Sequence, residues 1–251
     1  MTSLLAVDTL TRRFGGLIAV NAVTLDLRRG EVHAVIGTNG AGKSTLINML
    51  SGEIDASGGR ITLDGTDITR RAQFRRALAG VGRSYQRTTI FPEFTVLENC
   101  RLAAQAATPR PWAIWQASQT CAASNAAARA ALEAAGLDAV AARVAGTLSH
   151  GAKRQLEVAM CLATNPRVLL LDEPLAGMGA EETERMLALL TNLKASHAIL
   201  LVEHDMDAVF RIADRITVMV NGAVIASDTP LAVRTNPLVQ AAYLGEEEHA
   251  A

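Results

Sequence analysis

Gly37-Thr38-Asn39-Gly40-Ala41-Gly42-Lys43-Ser44-Thr45 fits the spacing G-x-x-x-x-G-K-[ST] and follows the apolar run Val32 to Ile36. A strand that ends in a glycine-rich turn and opens into a helix leaves several backbone N–H groups pointing into one concavity. The positive end of the helix dipole adds to their pull on an anion. The expected guest is a triphosphate. Gly40 and Gly42 let the backbone approach the phosphates, Lys43 reaches the β and γ oxygens, and Ser44 offers its hydroxyl to Mg²⁺. The helix is expected to start at Thr45 and Leu46.

On the N-terminal side of this cradle, Leu4 to Leu10, Val23 to Leu27 and Arg60 to Leu63 read as short strands, the last entering an Asp64-Gly65 turn. They predict an antiparallel layer. On the C-terminal side, Val168 to Leu171 and Ala198 to Val202 are continuous apolar runs separated by a helix-like stretch, Glu181 to Leu193. Such runs suit parallel strands covered on both faces. Arg215 to Val220 and Ala223 to Ile225 flank Asn221-Gly222, a strong hairpin signal. Residues 101 to 147 are rich in alanine and poor in β-branched residues, with breaks at Pro109 and Pro111 and a helix end at Gly136, so they predict a helical insert. Trp112 and Trp115 share a helix face in that reading and serve packing or an interface. The fold expected is α/β, a mixed or parallel core sheet with an N-terminal antiparallel β layer and a helical insert.

The 251 residues are 49 % apolar and 20 % charged, as in ordinary globular domains rather than disordered chains. A net charge of −1, from 24 basic and 25 acidic residues, gives no reason to expect a nucleic-acid partner. Cys100, Cys121 and Cys161 have no C-x-x-C spacing and are read as reduced, buried or bystander thiols. The first ten residues do not read as a signal peptide, and no apolar stretch approaches the roughly 18 residues of a membrane span.

Three residues at the ends of the apolar runs carry chemistry. Asp172 and Glu173 are adjacent carboxylates closing a buried strand, where successive side chains point to opposite sides. Asp172 is the candidate partner of the Mg²⁺ held by Ser44, and Glu173 the candidate base for water attacking the γ-phosphate. His204 follows the run Ala198 to Val202 at the carboxyl end of its strand, where ligands of open α/β sheets collect, and is placed to donate to the γ-phosphate. His33, His197 and His249 lack such a context and are read as structural or solvent residues.

From about Leu4 to Gly245 the chain resembles the ATP-binding-cassette ATPases, a P-loop NTPase family, and its most specific mark is Leu148-Ser149-His150-Gly151 before Asp172. The resemblance implies a single cassette domain over 1–251, with a nucleotide-binding core at 1–85 and 160–251 and a helical subdomain at 86–159. Phe14 resembles the aromatic that stacks on adenine, and Gln86 the glutamine that reaches Mg²⁺ and the attacking water. Ser149, His150 and Gly151 resemble the helix start that grips the γ-phosphate of ATP on the opposite subunit. His150 and Ala152 replace the family's second Gly and its Gln, and Gly179 stands where the family usually has an Asp linking two sites.

Ile90-Phe91-Pro92 and Thr95-Val96-Leu97-Glu98-Asn99 are similar to the branched-chain amino-acid importer subgroup, and the tail with Ala242-Tyr243-Leu244-Gly245-Glu246 is similar both to that subgroup's and to that of lipopolysaccharide-extracting ATPase subunits. That similarity implies ATP and Mg²⁺ as cofactors and a second ATPase subunit as partner, a heterodimer in the cell or a homodimer in isolation. It also implies two transmembrane permease subunits and, indirectly, a periplasmic or extracellular solute-binding protein. The location implied is the cytoplasmic face of the inner or plasma membrane. A lipopolysaccharide- or lipid-extracting ATPase subunit, and a cassette ATPase without a transporter such as an iron–sulfur assembly protein, are the alternative readings.

Overall fold

The computed structural model describes residues 3–86, 89–107 and 121–247; Pro109, Pro111, Trp112, Trp115 and His249 lie outside the described residues. Two sheets form the centre. In the first, β1 (Leu5–Phe14) and β2 (Leu17–Leu27) make an antiparallel hairpin, β4 (Gly58–Leu63) pairs antiparallel with β1, and β5 (Thr66–Asp67) pairs with β4, giving the order β2-β1-β4-β5. This is the expected antiparallel layer.

The second sheet is built from β3 (Val32–Gly37), β6 (Val81–Arg83), β7 (Val168–Asp172), β8 (Ala198–Val202), β9 (Arg215–Val220) and β10 (Ala223–Asp228), in the order β10-β9-β3-β8-β7-β6. All neighbours are parallel except β9 and β10, which form the hairpin over Asn221-Gly222. Both turn residues have φ > 0, at 47° and 80°, as a tight type I′ connection requires.

The continuous apolar runs follow from two-sided burial. Leu169, Leu171, Ile199 and Leu201 face one cluster, which holds residues of helices α5 (His150–Ala163) and α6 (Ala180–Lys194). Val168, Leu170, Leu200 and Val202 face the other, with α1 (Lys43–Ser51) and the first sheet. Alternate residues of one strand thus enter opposite cores, and no position is left for a polar side chain. Shortening Leu170, which is fully buried, to Ala would cost about 2–5 kcal/mol.

The insert contains α3 (Val96–Ala107) and α4 (Ala122–Ala134), packed with α5 through Ala104, Ala128, Ala131 and Leu132. Thr95 and Glu98 form a reciprocal cap on α3: Glu98 N–H donates to Thr95 Oγ1 at 3.1 Å and Thr95 N–H to Glu98 Oε2 at 2.9 Å. Gly136 follows α4 at φ 68°, the left-handed stop expected there. Further elements are α2 (Gln73–Leu78), α7 (Met206–Ile212), α8 (Pro230–Arg234) and α9 (Pro237–Glu247). Among the described residues no helix is long and apolar enough to cross a membrane. Cys100 and Cys161 are buried free thiols pushed up to about 12 by burial, in keeping with unreactive packing.

Candidate nucleotide site

β3 lies between β8 and β9, so the loop after it opens at the carboxyl ends of the parallel strands, where ligands of open α/β sheets bind. Helix α1 starts at Lys43, two residues earlier than the sequence suggested. Gly42, in the left-handed region at φ 98°, is its N-cap, so Lys43 and Ser44 stand in the first turn, whose N–H groups lack intrahelical acceptors. Two glycines are required by space. A Cβ at Gly37 would overlap the carbonyl oxygen of Met219, and one at Gly42 that of Ala19.

The β9–β10 turn braces the loop from outside, Gly222 N–H donating to Ala41 O at 3.0 Å and Asn21 N–H to Gly222 O at 2.8 Å. Ala41 is buried, Thr38 and Thr45 are half-buried, and Asn39, Gly40 and Ser44 are exposed. The nearly buried Lys43 donates through Nζ to Gly37 O at 2.6 Å and Thr38 O at 2.9 Å, which holds its charge inside the loop. Phe14 ends β1 as an exposed ring, with the Arg12 guanidinium carbon 4.5 Å from its centroid.

Asp172 pairs in register with Val202, and its side chain is buried. Its Oδ2 is 3.7 Å from Arg83 Nη2, while its Oδ1 is buried with no hydrogen-bond partner in the protein. Burial pushes this carboxyl above the usual carboxylate range, and Arg83 and Lys43 pull against that shift. An orphaned buried carboxylate oxygen is the donor that a hard divalent cation takes, so the residue fits a magnesium ligand.

Glu173 departs from strand alternation because it has already left the strand. Its φ is 50°, in the left-handed region, and its N–H donates to Val202 O at 2.9 Å. From there Glu173 Oε2 accepts from Gln86 Nε2 at 3.1 Å, and Oε1 lies 3.9 Å from His204 Nδ1. Three predicted residues from three separate chain segments therefore meet. His204 is held from behind by Glu203: the buried carboxylate accepts from His204 N–H at 3.1 Å and from Leu175 N–H at 2.8 Å, and burial raises its pKa.

Ser149, His150 and Gly151 make their contacts elsewhere, with the segment after β7. Ser149 is the N-cap of α5, its Oγ accepting from Ala152 N–H at 3.3 Å and donating to Glu182 Oε1 at 2.7 Å; His150 Nε2 lies 3.1 Å from Ala176 O.

Sequence reasoning passed over several residues that hold this arrangement. Arg83 donates through Nη1 to Ser51 Oγ at 2.7 Å and Glu53 Oε2 at 2.6 Å, and through Nη2 to Asn48 Oδ1 at 2.5 Å, joining α1 to Asp172. Arg154 donates to Tyr85 O at 3.0 Å and Gln86 O at 2.5 Å, and its buried partner Glu157 accepts from Thr89 N–H at 2.8 Å. Only the i,i+3 charge spacing of Arg154 and Glu157 was visible beforehand.

A family model described as ABC transporter matches residues 20–176. The chain belongs to the ABC transporter family. Residues 223–249 of this cassette also match a model described as branched-chain amino acid ATP-binding cassette transporter. The cassette is 42 % identical to the high-affinity branched-chain amino acid transport ATP-binding protein BraF of Pseudomonas aeruginosa, over 97 % of this chain and 98 % of that one. It is 43 % identical to LivG of Salmonella typhimurium, a protein of the same description, with the same coverage of each chain.

Among solved structures, a nucleotide-free ATP-binding cassette from an ABC transporter superposes with a TM-score of 0.87 at 29 % identity, covering 96 % of this chain and 99 % of that one. The ADP conformation of another such cassette gives 0.85 at 29 %, covering 98 % and 100 %. The expected α/β cassette fold is therefore the observed one, and the cassette is an ATP-binding ATPase.

Proposed function

We propose that this cassette is the ATP-hydrolysing subunit of an importer for branched-chain amino acids or related small solutes. The observation that carries the catalytic part is the meeting of Gln86, Glu173 and His204 beside Asp172, at the carboxyl edge of the parallel strands from which the Gly37–Thr45 loop also opens. The match over residues 223–249 and the descriptions of the relatives support the choice of cargo.

In this reading Phe14 stacks on adenine and residues Gly37 to Thr45 cradle the phosphates, with the Lys43 ammonium exchanging its loop carbonyls for β and γ oxygens. Ser44, Asp172 and Gln86 hold Mg²⁺, which when bound neutralises charge on the β and γ phosphates. Glu173 takes the proton of the attacking water, and Gln86 positions both. His204, oriented by Glu203, donates to the γ-phosphate.

Ser149, His150 and Gly151 complete the site of a partner ATPase subunit, so two nucleotides across one interface favour the closed pair. Two membrane permease subunits receive that motion at the cytoplasmic face, where the cassette sits peripherally, and a solute-binding protein delivers the cargo. Helices α3 to α5, in the proposed helical subdomain 86–159 and its continuation to Ala163, carry the contact with the permeases.

Glu173→Gln tests the chemistry. Turnover is expected to fall by about 10²- to 10⁴-fold with MgATP still bound. Unchanged turnover removes Glu173 from the role of base. Co-purification of the tagged Glu173→Gln protein with ATP from solubilised membranes tests the assembly, and recovery of lipid-export components instead of amino-acid permeases would overturn the importer reading.

A further inference from the structure

The N-terminus of α5 already holds an anion supplied by its own chain. Ser149 Oγ donates to Glu182 Oε1 at 2.7 Å, and the backbone N–H groups of Gly151 and Gly179 add to the positive potential around that carboxylate. These donors, the Ser149 hydroxyl first, hold the Glu182 carboxyl below the usual carboxylate range. The carboxylate sits directly against the helix end: a Cβ at Gly151 would overlap the Glu182 carboxyl carbon and come within 2.6 and 2.7 Å of its two oxygens, so this flexible side chain would have to swing aside.

Glu182 is in the first turn of α6, three residues after its N-cap Gly179. The carboxylate therefore stands in the first turn of its own helix and against the first turn of α5, at two positive helix ends. The neighbouring contact ties the same segments, His150 Nε2 lying 3.1 Å from Ala176 O with its ring against Gly177.

We propose that Glu182 is a resident anion that occupies, within each protomer, the place on Ser149 and Gly151 that a partner's γ-phosphate takes on closure, so that pairing displaces this carboxylate. The inference rests on the trans-phosphate reading of Ser149 to Gly151 given above. A phosphate oxygen arriving at Ser149 and Gly151 meets a negative charge already seated there, and both cannot use the same hydroxyl or fill the same space against Gly151. Association without nucleotide is held back because each helix end is already satisfied. Gly179 leaves the usual acidic position empty, and Glu182, one turn further on, supplies the carboxylate of this segment to the signature helix of its own subunit.

A simple structural cap and a displaceable competitor predict opposite signs. In the Glu173→Gln background, light scattering across an ATP titration reads the ATP concentration at half-maximal pairing, of the cassette with itself or with a co-purified second ATPase subunit. Glu182→Gln keeps the size and a hydrogen bond to Ser149 but removes the charge. Its midpoint is expected about 2- to 10-fold lower, with the affinity of the isolated protomer for a fluorescent ADP analogue unchanged.

Glu182→Asp, which withdraws the carboxylate by one methylene, is expected to lower the midpoint less, and its thermal melt checks that the helix pair is intact. An unchanged or higher midpoint in Glu182→Gln overturns the inference. Ser149→Glu separates this failure from that of its premise. If Ser149→Glu abolishes pairing while Glu182→Gln leaves it unchanged, only the inference fails. If pairing survives Ser149→Glu, or the Glu173→Gln parent never pairs at saturating ATP, the trans reading fails and the inference with it.

Discussion

Replacing Arg83 by Gln removes the stronger of the two cations that act on buried Asp172, its ion-pair partner at 3.7 Å, and leaves Lys43. The Arg83 and Asp172 side chains are 8 % and 4 % exposed, and Asp172 Oδ1 has no protein partner to fall back on. Breaking a buried pair from one side costs about 3–5 kcal/mol, the upper end applying where no other cation acts on the charge left behind. The bonds to Ser51 and Asn48 add about 1 kcal/mol each at most, in part recovered by the Gln amide. The pair with Glu53, whose side chain is 43 % exposed, adds roughly nothing after screening.

A net loss near 4 kcal/mol, with a urea slope of about 3 kcal/mol/M for a chain of this size, moves the unfolding midpoint down by roughly 1.3 M. The assay is urea denaturation followed by circular dichroism, without nucleotide and then with saturating MgADP. If Mg²⁺ binds at Asp172, the cation restores the missing positive charge and the gap between Arg83→Gln and the parent narrows. A shift under about 0.3 M without nucleotide would show that Asp172 is not held by Arg83 and would refute the reasoning.

Lys43→Ala is expected to weaken MgATP binding and hydrolysis together, as read by nucleotide titration and phosphate release; normal affinity would remove the loop from phosphate binding. Gly42→Ala forces a Cβ against Ala19 O at φ 98°, costing at least about 1–3 kcal/mol of strain and disturbing the cap of α1. Its nucleotide affinity and melting temperature are expected to fall together. His33 is fully buried, with Nδ1 3.0 Å from Asp26 O and Nε2 2.7 Å from Thr217 Oγ1, and burial lowers its pKa to about 4. Below the unfolded value near 6.5 the unfolded state binds the extra proton, so His33 contributes full stability above pH 6.5 and loses it between 6.5 and about 4. The loss approaches about 3 kcal/mol at the acid end, and a His33→Gln protein with a flatter stability profile over that window would confirm the source.

The parts legible in the sequence were those fixed by local chemistry or by two-sided burial. The loop Gly37 to Thr45 is written in consecutive residues, the runs at β7 and β8 are apolar throughout, and Asn221-Gly222 admits few other turns. The strand β6 escaped notice because Val81-Gly82-Arg83 has one apolar side chain that marks a strand, yet it closes the sheet edge and delivers Gln86. The start of β2 at Leu17 was hidden by Gly15-Gly16, which reads equally well as a loop. The left-handed backbone of Glu173 has no signature in an Asp-Glu pair, so strand alternation was carried one residue too far. Arg83, Glu182 and Glu203 act across chain separations that no spacing rule spans.

Helix α5 connects these non-local contacts. Its N-cap Ser149 bonds Glu182, and the side chain of His150 lies on Ala176, both in the segment that leaves Glu173. One turn on, Arg154 and Glu157 hold the backbone of Tyr85, Gln86 and Thr89 with side chains only 8 % and 4 % exposed. A 14-residue helix packed on both its neighbours moves as a rod, because bending it would break hydrogen bonds inside a dry core. Displacing the anion at its first turn would then carry to the carbonyls of Tyr85 and Gln86, which Arg154 holds, and the Gln86 amide donates to the Glu173 carboxylate at 3.1 Å. If occupancy of the helix end and placement of the proposed base Glu173 are coupled through this helix, Arg154→Met is expected to leave MgATP binding unchanged while lowering turnover, and unchanged turnover would refute the coupling.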